Sequence, residues 1–166
     1  MDASIIPADA NRQRGLTPAE IEGGEHEVNK DVTAYLAALD VDAKPSKIVS
    51  LTDPESRWTA IEGGRAFHAY SANYLIDLRA GVVIDTETTQ ALKTDEVEAS
   101  KIMIDRVEDR FGLHPARLTA DTAYGTGPML GWLVDEKKIT PHIPVWDKDG
   151  GTPGRLPISA FVWDER

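Results

Sequence analysis

The 166-residue chain contains no cysteine. That excludes a disulfide framework, a thiolate zinc site and a cysteine nucleophile together. Long apolar runs are missing too: no stretch approaches the ~18 residues that a membrane span needs. The amino end has no basic segment followed by an apolar one, so no secretory signal is visible. The expected compartment is cytoplasmic, with no membrane as partner. Positive charge is scarce. Lys and Arg number 18 against 28 Asp and Glu, a net charge of −10. Free-standing nucleic-acid binders are usually basic, so composition by itself argues against DNA or RNA. There is no repeat and no low-complexity tract. What remains is 41% hydrophobic and 28% charged, with 13 Gly and 10 Pro. This is the balance of a globular chain long enough for one domain with its own core.

The pattern predicts strands and helices in alternation. Asp2 to Ile6 reads as a strand that starts without lead-in and is limited by Pro7. Residues 9–28 are polar and Gly-rich and read as a loop. Asn29 is placed to cap a helix through Tyr35, Leu36 and Leu39, ending before Pro45. A short strand is expected over Lys47 to Leu51, and Thr52 to Trp58 is turn-forming. Phe67 to Leu78 and Val82 to Thr88 read as an antiparallel pair joined at Arg79-Ala80-Gly81. Thr94 to Phe111 is the clearest helix, with Val97, Ser100, Ile104, Val107 and Phe111 on one face. Asp95, Glu96 and Glu98 favour its first turn, and Gly112 suits its end. Arg117 to Asp121 reads as a strand, Met129 to Val134 as a helix face, and His142 to Val145 as a last strand. The order is β, insertion, β, β, α, β, α, β: an α/β mixed sheet with flanking helices.

Two aspartates sit where catalytic carboxylates commonly sit. Asp2 lies in the first strand, and Asp121 ends the strand after the long helix. If those strands are neighbours, the two carboxylates offer hard oxygen ligands for Mg²⁺ or Mn²⁺. Either alone is more simply a turn aspartate at a strand edge. The case rests on the pair.

The surrounding strings resemble a known family. Asp2-Ala3-Ser4-Ile5-Ile6-Pro7-Ala8-Asp9-Ala10-Asn11 resembles the first-aspartate motif of bacterial insertion-sequence transposases of the DDE type. Ala120-Asp121-Thr122-Ala123-Tyr124-Gly125 resembles their second-aspartate motif, with Ala123 where a glycine is usual. Ser50 to Trp58, and Tyr70-Ser71-Ala72-Asn73 through Asp77, resemble two further signatures in the family's order. The resemblance implies an RNase H-like fold and metal-dependent phosphoryl transfer on DNA, the strand cleavage and joining of transposition. It implies Asp2 and Asp121 as catalytic, metal-binding acids, with Mg²⁺ or Mn²⁺ as cofactor and DNA as partner of the full-length enzyme. Self-association stays open. The third acid of such enzymes is a Glu within a Tyr/Arg/Glu/Lys pattern. No such pattern occurs, and neither Glu136 nor Glu165 is suitably placed. Met1 stands directly before the first acid, and no closing element precedes Arg166. The sequence therefore reads as a truncated, incomplete catalytic domain over residues 1–146, with an insertion at about 9–66. A poorly ordered tail is expected over 147–166. Alone, the chain is expected to be inactive.

Weaker candidates have simpler readings. His26, His68, His114 and His142 share no ligand spacing, and a lone histidine is more often a surface or core residue than a ligand. Asp77 is first a strand residue beside a hairpin. Arg12, Gln13 and Arg14 are first a solvated loop, and only second a phosphate contact. The alternative to the enzyme is a non-enzymatic remnant or protein-interaction module derived from a transposase. A third reading is a stand-alone hydrolase using Asp2, Asp121 and Asp77.

Overall fold

The strand that the others meet is β3, Phe67–Asp77. Its Phe, Tyr, Leu and Ile residues suit a pleated, half-buried surface. The computed structural model describes residues 1–11, 13–24, 26–39, 46–60, 63–145 and 160. These fall into two compact units, Met1–His114 and Pro115–Arg166.

In the first unit β1, Asp2–Pro7, runs antiparallel along one edge of β3, from Asp2↔Tyr74 to Pro7↔Ala69. β4, Val82–Gln90, runs antiparallel along the other edge. Beyond it on that edge β2, Arg57–Thr59, pairs with Phe67 to Ala69. Residues opposite one another share a face. Ala3, Ile5, Ser71, Asn73, Asp85, Glu87 and Thr89 therefore look one way. Asp2, Ser4, Ile6, Tyr70, Tyr74, Thr86, Thr88 and Gln90 look the other way.

Helix α3, Lys93–Phe111, covers the first of these faces. Ala99, Ser100, Met103, Ile104 and Val107 are buried. Ser71 Oγ donates to Glu96 Oε1 at 2.9 Å. Arg106 reaches back to β4, giving Nε to Asp85 Oδ2 and Nη1 to Glu87 Oε2, both at 2.7 Å. Gly112 ends the helix at φ 62, as its lack of a Cβ allows. One expectation is corrected. Phe111 is 60% exposed rather than packed, and Met103 takes its share of the core. The 3.6-residue period carries the stripe through residues 100, 103, 104 and 107, and the last turn has no buried residue.

The remainder of this unit holds a second small core of Val32, Tyr35 and Val49, with Ile21, Val28, Leu36, Leu39 and Leu51 against it. Helix α2, Lys30–Ala38, starts at the expected cap. Asn29 Oδ1 accepts from Asp31 and Val32 N–H, and its Nδ2 donates to the Leu51 carbonyl at 2.7 Å. The 9–28 stretch is more than loop. It contains α1, Pro18–Glu22, closed by a reciprocal Thr17–Glu20 capping box. The strand expected over Lys47 to Leu51 is instead an isolated bridge, Leu16↔Val49. Trp58 belongs to β2 rather than to the turn before it.

In the second unit β5, Arg117–Thr119, pairs in parallel with β6, Thr140–His142. Between them lie a 3₁₀ turn, Thr122–Tyr124, the helix α4, Gly127–Gly131, and a π turn, Trp132–Glu136. The last strand lies earlier than His142 to Val145, because the Thr140 N–H already bonds to Ala116 O at 3.0 Å. Pro144, within the expected span, has no N–H to give.

The architecture is mixed α/β and compatible with an RNase H-like fold. Among the described residues no helix is long and apolar enough to cross a membrane. The tail over 147–166 lies outside the described residues, except Ala160.

Asn29 does two jobs, cap and tie. Replacing it by Ala is expected to cost about 1–2 kcal/mol in urea unfolding, and Asn29→Asp should recover only the cap. Equal stability of the Ala variant and the parent would contradict this.

Candidate active site

Asp2 opens β1 and is exposed. Its Oδ1 accepts the Ala3 N–H at 2.8 Å. The antiparallel register sets it opposite Tyr74, whose other neighbour is Thr86, on the face away from α3. The Met1 amino group beside it is half-buried, and burial lowers its pKa against the pull of the Asp2 charge. Leaving water costs the ammonium more than the nearby carboxylate returns.

Asp121 is also exposed and stands two residues beyond β5. It caps the 3₁₀ turn, with Oδ1 accepting the Ala123 N–H at 2.8 Å. Behind it Tyr124 is 2% exposed, so the aromatic ring anchors the turn that carries the carboxylate. Both aspartates thus have one oxygen fixed by a main-chain N–H one or two residues on, Asp2 at the start of β1 and Asp121 just past β5. Asp2 belongs to the first unit and Asp121 to the second.

Asp77 has other work. Its Oδ1 accepts from Arg79 N–H at 2.8 Å and Ala80 N–H at 3.2 Å, shaping the β3–β4 turn. Among the described residues no group of three or more His, Asp or Glu converges as a metal site. Arg14 N–H bonds Asn11 O at 3.3 Å in a loop turn, and Arg12 lies outside the described residues. His26, His114 and His142 are exposed, and only His68 is buried.

Comparison with known families adds one finding. The model of the transposase DDE domain matches residues 36–157. The chain belongs to that family. The matched span includes Asp121 and both inner signatures, and it begins after Asp2. No curated protein and no solved structure gives a significant match.

The two inner signatures of this transposase domain come together in space. Tyr70 on β3 donates its hydroxyl to Asp53 Oδ1 at 2.6 Å. Gln90 Nε2, on β4, donates to the Glu55 carbonyl at 2.9 Å. The Trp58 ring meets His68 edge-on, with centroids 4.9 Å apart. The Ser50–Trp58 string is thus a clasp across the end of β3 and β4. Sequence reasoning singled out both strings without linking them; no spacing rule joins residues 53 and 70.

No ligand spacing marks His68 in the sequence. It is 2% exposed and neither ring nitrogen has a hydrogen-bond partner. Gly15 lets the loop pass close by: a Cβ there would meet Ile48 Cγ2 and approach His68 Nε2 to 3.4 Å. Burial lowers the His68 pKa, partly opposed by the Asp53 carboxylate.

A base with a lowered folded pKa is neutral in the fold while the unfolded chain takes up a proton. Stability is therefore expected to fall as pH drops below about 6.5, levelling once the folded pKa is passed. Urea midpoints between pH 8 and pH 5 measure this, and His68→Gln should shed part of the slope. An unchanged slope in that variant would refute the assignment.

Proposed function

We propose that the domain serves metal-dependent phosphoryl transfer on DNA, with Asp2 and Asp121 as two of the acids that hold the cations. The supporting observation is their shared setting. Each carboxylate is exposed, Asp2 at the start of β1 and Asp121 just past β5, with one oxygen steadied by a main-chain N–H one or two residues on. This hard-oxygen donor set fits Mg²⁺ or Mn²⁺. The reading requires that both carboxylates serve the same cations. β1 is paired with β3, and among the described residues it has no strand partner on its other edge. Its Ile5 and Ile6 are 38% and 46% exposed, an edge that proteins usually cover.

In such a site the carboxylates bind and orient, and Tyr124 holds the Asp121 turn in place. Bound divalent ions would stabilise the attacking and leaving oxygens of a phosphodiester. A water or a DNA 3′-hydroxyl adds to phosphorus in line as the opposite P–O bond breaks, and the proton of the attacking oxygen passes to solvent. DNA is the substrate and partner in this reading.

Activity of this chain alone should be weak. Only two acids match the family pattern, so the charge of two cations is incompletely balanced. A second reading, a non-catalytic module that binds protein, is favoured by that shortfall and by the net charge of −10.

The test is a plasmid-nicking assay with Mn²⁺, run beside Mn²⁺ binding. The expected result is little cleavage and one weak Mn²⁺ site that Asp2→Asn and Asp121→Asn each abolish. Strong cleavage lost in Asp121→Asn would refute the predicted weakness. Mn²⁺ binding that ignores either substitution would refute the shared site.

A further inference from the structure

A cavity of about 460 Å³ opens on the sheet face away from α3, lined by Tyr35, Leu39, Glu55, Tyr70, Thr88 and Gln90 among others. Such a volume lies in the range of small-ligand pockets and leaves ample room for one long side chain. We propose that it receives a guanidinium group, the side chain of an arginine carried by a basic protein segment. This proposal is independent of the metal chemistry, since every lining residue lies in the first unit and neither Asp2 nor Asp121 takes part.

Four observations carry it. First, Tyr35 is 8% exposed, it lines the cavity, and its hydroxyl has no hydrogen-bond partner. A buried hydroxyl without a partner is costly, so this wall would gain from a polar ligand that reaches it. Second, two carboxylates stand at Tyr70: Asp53 accepts from its hydroxyl at 2.6 Å, and Glu55 lines the same cavity; burial first, and then these two charges, raise the Tyr70 pKa. The local field is negative and favours a cation. Third, acceptors remain there. Tyr70 spends its proton on Asp53, and Gln90 gives one amide N–H to the Glu55 carbonyl, which leaves Gln90 Oε1 and the exposed Glu55 carboxylate to accept. Fourth, two tyrosines contribute to the walls, and a planar guanidinium stacks on aromatic faces while its five N–H groups reach acceptors in plane.

A lysine ammonium is a compact, strongly hydrated charge and matches this setting less well. Nucleic acid is disfavoured, because its phosphates would face Asp53 and Glu55. The net charge of −10 adds a long-range pull on a basic partner.

The test uses the full chain and three probes: acetyl-arginine amide, acetyl-lysine amide and acetyl-citrulline amide, the last an uncharged match for arginine. Binding is followed by NMR shifts of the tyrosine ring resonances. The arginine probe should saturate with a dissociation constant on the order of 1 mM, and the citrulline probe should bind at least about tenfold more weakly. Glu55→Gln should weaken arginine binding by roughly tenfold without moving the thermal midpoint, because Glu55 is exposed. Glu98→Gln makes the same charge change on α3, where Glu98 pairs with Lys101, and should leave binding unchanged. Equal binding of citrulline or lysine, equal loss in the Glu98 variant, or no saturable shift would overturn the proposal.

Discussion

The two-sided ladder of β3 is the constraint from which the first unit follows. Tyr70 to Tyr74 pair with β1 on one edge and with β4 on the other. Because strand side chains alternate, a one-residue slip would swap the faces. Asp2 would then turn toward α3, and Ser71 would lose Glu96. Arg106 reinforces the register from outside. Its guanidinium spans Asp85 and Glu87, two residues on one face of β4, so α3 fits one setting of that strand. The same ladder holds Tyr70 and Gln90 opposite each other, which lets one clasp bind both.

Much of this was legible because local chemistry decides it. Asn29, Gly112 and the acidic first turn of α3 act within a few residues of themselves, and their signals hold. Tyr and Ile on β3 mark a strand whatever lies next to it. The errors arise where the deciding partner is remote. Val49 looks like a strand residue, but its pairing is one bridge to Leu16. Thr17 and Glu20 form a cap that a Gly-rich composition hides. The last strand is set by where Thr140 meets Ala116, which the run His142 to Val145 does not reveal.

The candidate site divides in the same way. Asp2 and Asp121 stand out as residues because their neighbouring strings resemble the family pattern, and the match over residues 36–157 spans the second of them. Their proximity was never local information. The clasp of Asp53 on Tyr70 and the unpartnered ring of His68 were invisible for the same reason. Net charge misleads in the opposite direction: −10 argues against DNA, yet the chain is a transposase domain. Charge summed over a chain does not locate the surface that meets a ligand.

The proposed metal chemistry stands on one requirement, that Asp2 and Asp121 serve the same cations. A chain without cysteine allows a clean test by paired substitution. Cysteine at Ala3 would be combined in turn with cysteine at Thr119, Ala120, Thr122 or Ala123, and disulfide formation followed under mild oxidation. A disulfide spans Cα atoms about 4.4–6.8 Å apart. The account predicts that at least one pair closes rapidly in the native chain and not in urea. If none closes while the variants remain folded, the two aspartates do not share a site and the metal-dependent reading falls.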